Sequence, residues 1–320
     1  MVTKNVGDWK KWAFLEGVTR TLSRTLQKVV GSVSNNWENT LLASGIIGLV
    51  QVLSAVIITR KMKEKLLCNP AGIIGCLMFG FFALVSTVLG FVTFLYEGDI
   101  TISTFIIALS IIPGMIIDII FFKHKSSRRE WIGIFVAVIA GWAVLDFPNL
   151  AKMFEMPIWV GLSFITMILV AINQGITQSI KDVSPMFKNF WGGMVALILS
   201  PIVMIVIGKG GFLLSFPGNK ILWFTSAMIG IIVIAIWSFN LLSFKGGASI
   251  ALKKLVVSST YFISTTILGS IVFNEAMTAG KITAIPLFII SYFFMSKEAY
   301  DFVRAKWIPK WIKWIRWISK

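Results

Sequence analysis

Nine apolar runs divide this chain, at 39–59, 71–95, 101–122, 131–148, 157–180, 188–208, 221–244, 247–273 and 281–297. Each is near the roughly 20 residues that an α-helix needs to cross the hydrocarbon core of a bilayer. Of 320 residues, 57% are hydrophobic and only 14% are charged, with a mean hydropathy of +0.84. A water-soluble fold cannot hide that much apolar surface, because its own exterior still has to face water. The expected fold class is therefore an all-α polytopic membrane protein. Pro113, Pro201 and Pro286 lie inside runs, where neighbouring helices can satisfy the freed backbone groups. Gly133, Ala137 and Gly141 recur at i, i+4, i+8, a small-residue ridge suited to close helix packing.

The net charge of +16 is no nucleic-acid footprint, since the basic residues cluster at the ends of apolar runs instead of forming one soluble face. Arg60, Lys61, Lys63 and Lys65 mark one side of the membrane, as do Lys123, Lys125, Arg128 and Arg129 two runs later. Lys306, Lys310, Lys313, Arg316 and Lys320 join them from the C-terminal tail, whereas Glu97 and Asp99 sit on the opposite side. Positive loops face the cytoplasm, so the C-terminus is expected inside. A plasma (inner) membrane is favoured and an organelle membrane stays open. Two cysteines, Cys68 and Cys76, and one histidine, His124, provide neither a disulfide framework nor a metal-ligand set. No metal and no cofactor is expected. With Glu16, Arg20, Arg24 and Lys28 in the first apolar-leaning stretch, no cleaved signal peptide is expected. No enzyme is expected either: GxSxG, HExxH, a Walker A loop and a placed carboxylate pair are all missing from the sequence.

Nine spans would leave Lys4, Lys10, Lys11, Arg20, Arg24 and Lys28 outside, against the charge rule. A repeat resolves this. "FFKHKSSRREWIG" (121–133) matches "VFNEAMTAGKITA" (272–284) with Phe122 on Phe273 and Ser127 on Thr278, an offset of 151. The same offset carries runs 221–244, 188–208 and 157–180 onto 70–93, 37–57 and 6–29. A tenth helix over about 9–33 is thus expected, giving repeats over 1–150 and 151–298 and a tail over 299–320. Two five-helix halves must be oppositely oriented in the membrane, the plan of many secondary transporters. That first helix has an apolar stripe, Leu15, Val18, Leu22, Leu26 and Val29, and a basic one, Arg20, Arg24 and Lys28. It either spans with its basic face on a watery cavity or lies flat on the inner leaflet.

"ALSIIPGMIIDIIFFKHKSSRREWIGIFVAVIAGWAVL" (108–145) and "FNEAMTAGKI" (273–282) resemble the drug/metabolite transporter superfamily with its two EamA-type halves. The second stretch keeps a Glu-x-Leu-Thr-like pattern as Glu275, Met277 and Thr278, whereas His124 and Ser126 replace its first two members in the first half. "ALKKLVVSSTYFISTTILGSIVF" (251–273) is similar to the ninth helix of the sugar-phosphate and nucleotide-sugar branches. That resemblance implies a phosphate-gripping role for Lys253 and Lys254.

The residues alone already suggest a path. Asn173, Gln174, Thr177 and Gln178 form a polar stripe on the sixth helix, and the offset places Gln174 and Gln178 on Ser23 and Gln27 of the first. A cavity between the halves would be lined by Arg20, Arg24, Asn173, Gln174, Lys253 and Lys254, and such basic, hydrogen-bonding walls favour an anionic or phosphorylated metabolite. Both lysines have other destinations: a salt bridge with Asp118, as an inner gate or coupling group, or snorkelling to the surface. Glu275 reads as a loop or cap residue. The tail "KWIPKWIKWIRWISK" reads as an interfacial helix on anionic lipid headgroups. A small-molecule substrate is the expected partner and nucleic acid is not; a homodimer is open. Export of amino acids or drugs, flipping of a lipid phosphate, and a non-transporting membrane scaffold are the rival functions.

Overall fold

The computed structural model describes residues 9–34, 36–64, 66, 70–148, 155–210, 220–295 and 301. The basic tail, with Lys306 to Lys320, and Lys65 lie outside them. The described residues are helical and contain no strand. In chain order the helices are α1 (Trp9–Val33), α2 (Trp37–Met62), α3 (Pro70–Leu95), α4 (Ile100–Ala108), α5 (Ile111–Phe122), α6 (Arg128–Val144), α7 (Ile158–Ser179), α8 (Pro185–Val206), α9 (Lys220–Lys245), α10 (Ile250–Phe273) and α11 (Ala279–Met295). α4 and α5 form one run broken at Leu109–Ser110. Pro113 explains the break: with no N–H it cannot bond the carbonyl of Leu109, which instead accepts from Ile112 in a tighter turn.

Seven of these are long and apolar enough to cross a membrane: α2, α3, α4–α5 together, α7, α8, α9 and α10. α11 is apolar but only 17 residues long, and α6 has the same length. α1 is long enough but carries too many charges to qualify by composition. It nevertheless packs within the bundle, against α9, α10 and α3. Glycine permits this approach: a Cβ on Gly17 would lie 2.8 Å from the Cβ of Thr260 on α10, and one on Gly31 would lie 2.9 Å from the carbonyl oxygen of Phe91 on α3. Part of the apolar stripe of α1 turns outward, with Val18 and Leu22 exposed beside Phe14 while Leu26 packs on the core, and Glu16, Ser23 and Arg24 are buried. In water this would be inside out; beside lipid it is the expected order.

Pairing of the helices is reciprocal. α1 packs on α9 as α3 packs on α7; α2 packs on α8, and α6 on α11. Several helix ends also recur at the same interval: α5 ends at Phe122 and α10 at Phe273, with left-handed caps at Lys123 and Asn274, and α6 (128–144) has the bounds of α11 (279–295) less 151. Two contacts hold the assembly. Gly48 and Gly193 let α2 and α8 touch backbone to backbone. Phe105, Phe262 and Phe288 meet edge to face, 4.7–6.0 Å between ring centres, and join α4, α10 and α11. The expected ridge on α6 is used: Gly133 abuts Met295 and Ser291 of α11, Ala137 is buried, and Gly141 faces Leu109 and Phe105.

Candidate functional site: a cationic cavity between two ionic clusters

A cavity lies at mid-height between α1, α3, α7, α9 and α10. It has two lobes, of about 110 and 100 Å3, which share Arg20, Ser23, Gln27, Thr87 and Ile236. The first lobe adds Arg24, Lys254 and Tyr261. The second runs toward Ser44, Gln51, Leu84 and Trp237. Three cations line the two lobes and no acidic side chain does.

The cations differ in how they are held. Arg20 is tied by Glu16, one turn earlier on α1: its Nε donates to Glu16 Oε1 at 2.9 Å and a terminal nitrogen lies 2.8 Å from the same oxygen. Arg24 donates to Ser103 at 3.0 Å and to Gln27 at 3.1 Å, and its guanidinium lies 4.3 Å from the centre of the Phe94 ring. Its Nε is buried with no acceptor. Lys254 is buried too, and no hydrogen bond or ion pair to it is found among the described residues. Lys254 therefore lines the cavity with bonding capacity unspent, beside an Arg24 whose Nε is buried without an acceptor. Leaving such groups unmatched out of water is costly, and an anion in the cavity would match Lys254.

Lys253 points elsewhere, because adjacent helical residues lie about 100° apart. Its ammonium lies 2.9 Å from Glu16 Oε2 and donates to Gln174 Oε1 at 2.6 Å. Asn240 completes this cluster, donating to Glu16 at 3.1 Å and to Gln174 at 3.0 Å. Behind it Lys188, fully buried, donates to Asn240 at 3.1 Å and Thr177 at 3.2 Å, 3.9 Å from the centre of the Phe79 ring. Lys253 and Gln174 thus belong to a network below the cavity and do not line it. Asn173 is also outside the lining; with its amide oxygen and nitrogen exchanged it donates to the Phe79 carbonyl and accepts from the Ala83 amide of α3, 3.1 Å each. Asp118 forms no ion pair with a lysine among the described residues. It accepts from the backbone N–H of Ala251 at 2.9 Å, at the start of α10, where a carboxylate complements the helix dipole.

At the other end of the cavity is a second cluster. Lys28 of α1 donates to Glu275, and Lys281 of α11 donates to Asp99 at 2.5 Å and lies 3.9 Å from Glu275. Glu275 also caps α4, accepting from the amides of Ile100 (2.6 Å) and Thr101 (3.3 Å). Asp118 thus caps α10, and Glu275 caps α4 together with Asp99. Burial, and then the neighbouring Glu275 carboxylate, push the Asp99 carboxyl above its ordinary value. Glu275 is buried as well, but the Lys28 hydrogen bond and the Ile100 amide outweigh that and hold it below the usual carboxylate value.

Glu16 and Lys188 escaped the sequence reading of the site. Glu16 entered only as an obstacle to a signal peptide, although its position four residues before Arg20 was a signal that it holds that arginine. Lys188 looked like a span boundary, because nothing in one dimension says that the first turn of α8 is covered by α7 and α9.

Comparison with known proteins bears on the fold alone. No family model and no curated protein matches this chain. Among solved structures, one described only as a crystal structure of a protein is similar over 91% of this chain and 98% of its own, with a TM-score of 0.64 and 14% identity. This chain and that one share an architecture over nearly their whole lengths. The class defined so far is a multi-helix membrane protein with a buried polar cavity.

Proposed function

We propose that the protein is a secondary transporter of a small anionic, phosphorylated metabolite, working by alternating access between two inverted five-helix repeats, as expected of the drug/metabolite transporter superfamily. The observation that carries this reading is the acid-free cavity in which Lys254 keeps unspent donors beside Arg24. Ten spans follow when α1, α6 and α11 are added to the seven long apolar helices, with α4–α5 as one. The reciprocal helix pairing and the recurrence of helix ends at 151 residues support the repeat. A site between the halves at mid-membrane is where such transporters hold substrate. Phosphate suits this wall because guanidinium and ammonium groups both satisfy its oxygens. An amine would meet like charge. Nothing in the cavity requires a cofactor, and the chemistry proposed is binding and release.

The test is a ligand-induced thermal shift of the detergent-purified protein with sugar phosphates, nucleotides, amino acids and amines, alongside Lys254→Ala. A compound at 100 times its Kd adds about 2.7 kcal/mol. Stabilisation by phosphorylated compounds that is lost in Lys254→Ala is the expected outcome. Stabilisation by neutral or zwitterionic compounds alone, unchanged in the variant, overturns the anion reading in favour of amino-acid or drug export.

A further inference from the structure

Glu16, Arg20, Arg24 and Lys28 follow one another at four-residue intervals along α1, and each sits at a different station. Arg20 and Arg24 line the cavity. Glu16, one turn to one side, is ion-paired with Lys253 of α10. Lys28, one turn to the other, is ion-paired with Glu275 in the segment between α10 and α11. So α1 is fastened to α10 just below the cavity and to the end of α10 just above it. Both ties are closed in this structure. Below the lower tie, Trp12 stacks on Phe239 at 5.6 Å, and Trp9 closes over Gly246. The upper tie includes side chains that are partly exposed: 17% for Lys28 and 21% for Asp99, against 0% for Lys253 and 1% for Glu16.

We infer that Glu16–Lys253 and Lys28–Glu275 are the two gates of the cavity, opened in alternation as α1 pivots against α10. This rests on the transport reading above. The arrangement has a physical logic. An ion pair is strong when dry and weak when wet, so each tie loses its hold when water enters from its own side. Glu16 also grips Arg20, and an anion bound at Arg20 competes for the group that Glu16 holds. Loading the cavity therefore leaves the Glu16 carboxylate to Lys253 alone and tightens the lower gate. Glu16 is accordingly a positioning residue, acting on substrate through Arg20.

The experiment is cysteine accessibility, which needs no transported compound. In a Cys68→Ala/Cys76→Ala background, Ser86→Cys places a thiol on the cavity wall. A membrane-impermeant maleimide is applied to intact cells and, separately, to inside-out vesicles. The parent should label slowly from both sides. Lys28→Gln, which leaves Glu275 capping α4, should label at least 10-fold faster from one side, and Lys28→Arg should not. Glu16→Gln/Lys253→Gln, which removes both charges of the lower tie together, should label faster from the opposite side, and so should Glu16→Asp, which keeps the charge beside Arg20 but shortens the reach. Labelling at the parent rate in all variants, or acceleration from the same side in both sets, overturns the gates. Absence of any ligand shift with intact side-specific labelling would overturn the anion site and leave the gates standing.

Discussion

The two adjacent lysines of α10 have different fates. Lys253 is half of an ion pair whose other member, Glu16, is buried with it, whereas Lys254 faces the cavity. Their substitutions should therefore separate. Breaking a buried pair by removing one member costs up to about 3–5 kcal/mol, and less where Arg20 still holds Glu16, so Lys253→Met should lower Tm in the absence of any ligand. Lys254→Met removes a buried charge with no protein partner and should leave Tm equal or higher, while abolishing stabilisation by a phosphorylated ligand. Thermal melts of the two variants with and without ligand check both. Equal melts would mean that Glu16 does not discriminate between the neighbours. That lysines sit inside a membrane helix was legible in the sequence. Which one pairs was not, because the partner lies 237 residues away.

Among elements, close helix contacts and the loop acids carry the sharpest expectations. A Cβ on Gly48 would lie 2.6 Å from the backbone nitrogen of Leu197, whereas one on Gly161 meets nothing within 4 Å. Gly48→Val should destabilise by about 1–3 kcal/mol and Gly161→Val by less than about 0.5 kcal/mol, read as a difference in Tm. The two carboxylates of the upper cluster should respond oppositely to acid. Glu275, held low, contributes stability that is full above the ordinary carboxylate pKa, about 4.3, and is lost as the pH falls through its depressed value. Asp99, pushed up, binds its proton more readily folded than unfolded, so its ionisation lowers stability as the pH rises through its raised value. Melts across pH should show the advantage of wild type over Glu275→Gln constant from neutral to mildly acidic pH and shrinking below about 4. Asp99→Asn should gain on wild type as the pH is raised through the Asp99 titration. That Glu275 is a loop or cap residue was readable from its place at the end of an apolar run, but not that the helix it caps is α4. Nor was its ion pair with Lys28, since only the packing brings α1 near.

For the molecule as a whole, the proposed inverted plan makes a topological prediction. Cysteines introduced at Lys63 and Lys123 should be shielded from an impermeant reagent in intact cells, and those at Glu97 and Met277 should react; the reverse, or a mixture, would overturn the orientation. Length and spacing of the apolar runs determined the class of this protein, because a stretch of about 20 apolar residues has no other place to go. They also determined most helix positions and the 151-residue recurrence, which are properties of one dimension. Composition did not place α1: a helix with Glu16, Arg20, Arg24 and Lys28 reads equally as a surface strap. The tertiary structure put it inside the bundle, where glycines at 17 and 31 admit α10 and α3. Only that packing decided which cations are neutralised by acids from distant helices and which are left facing the cavity, because the worth of a buried charge depends on what surrounds it in three dimensions.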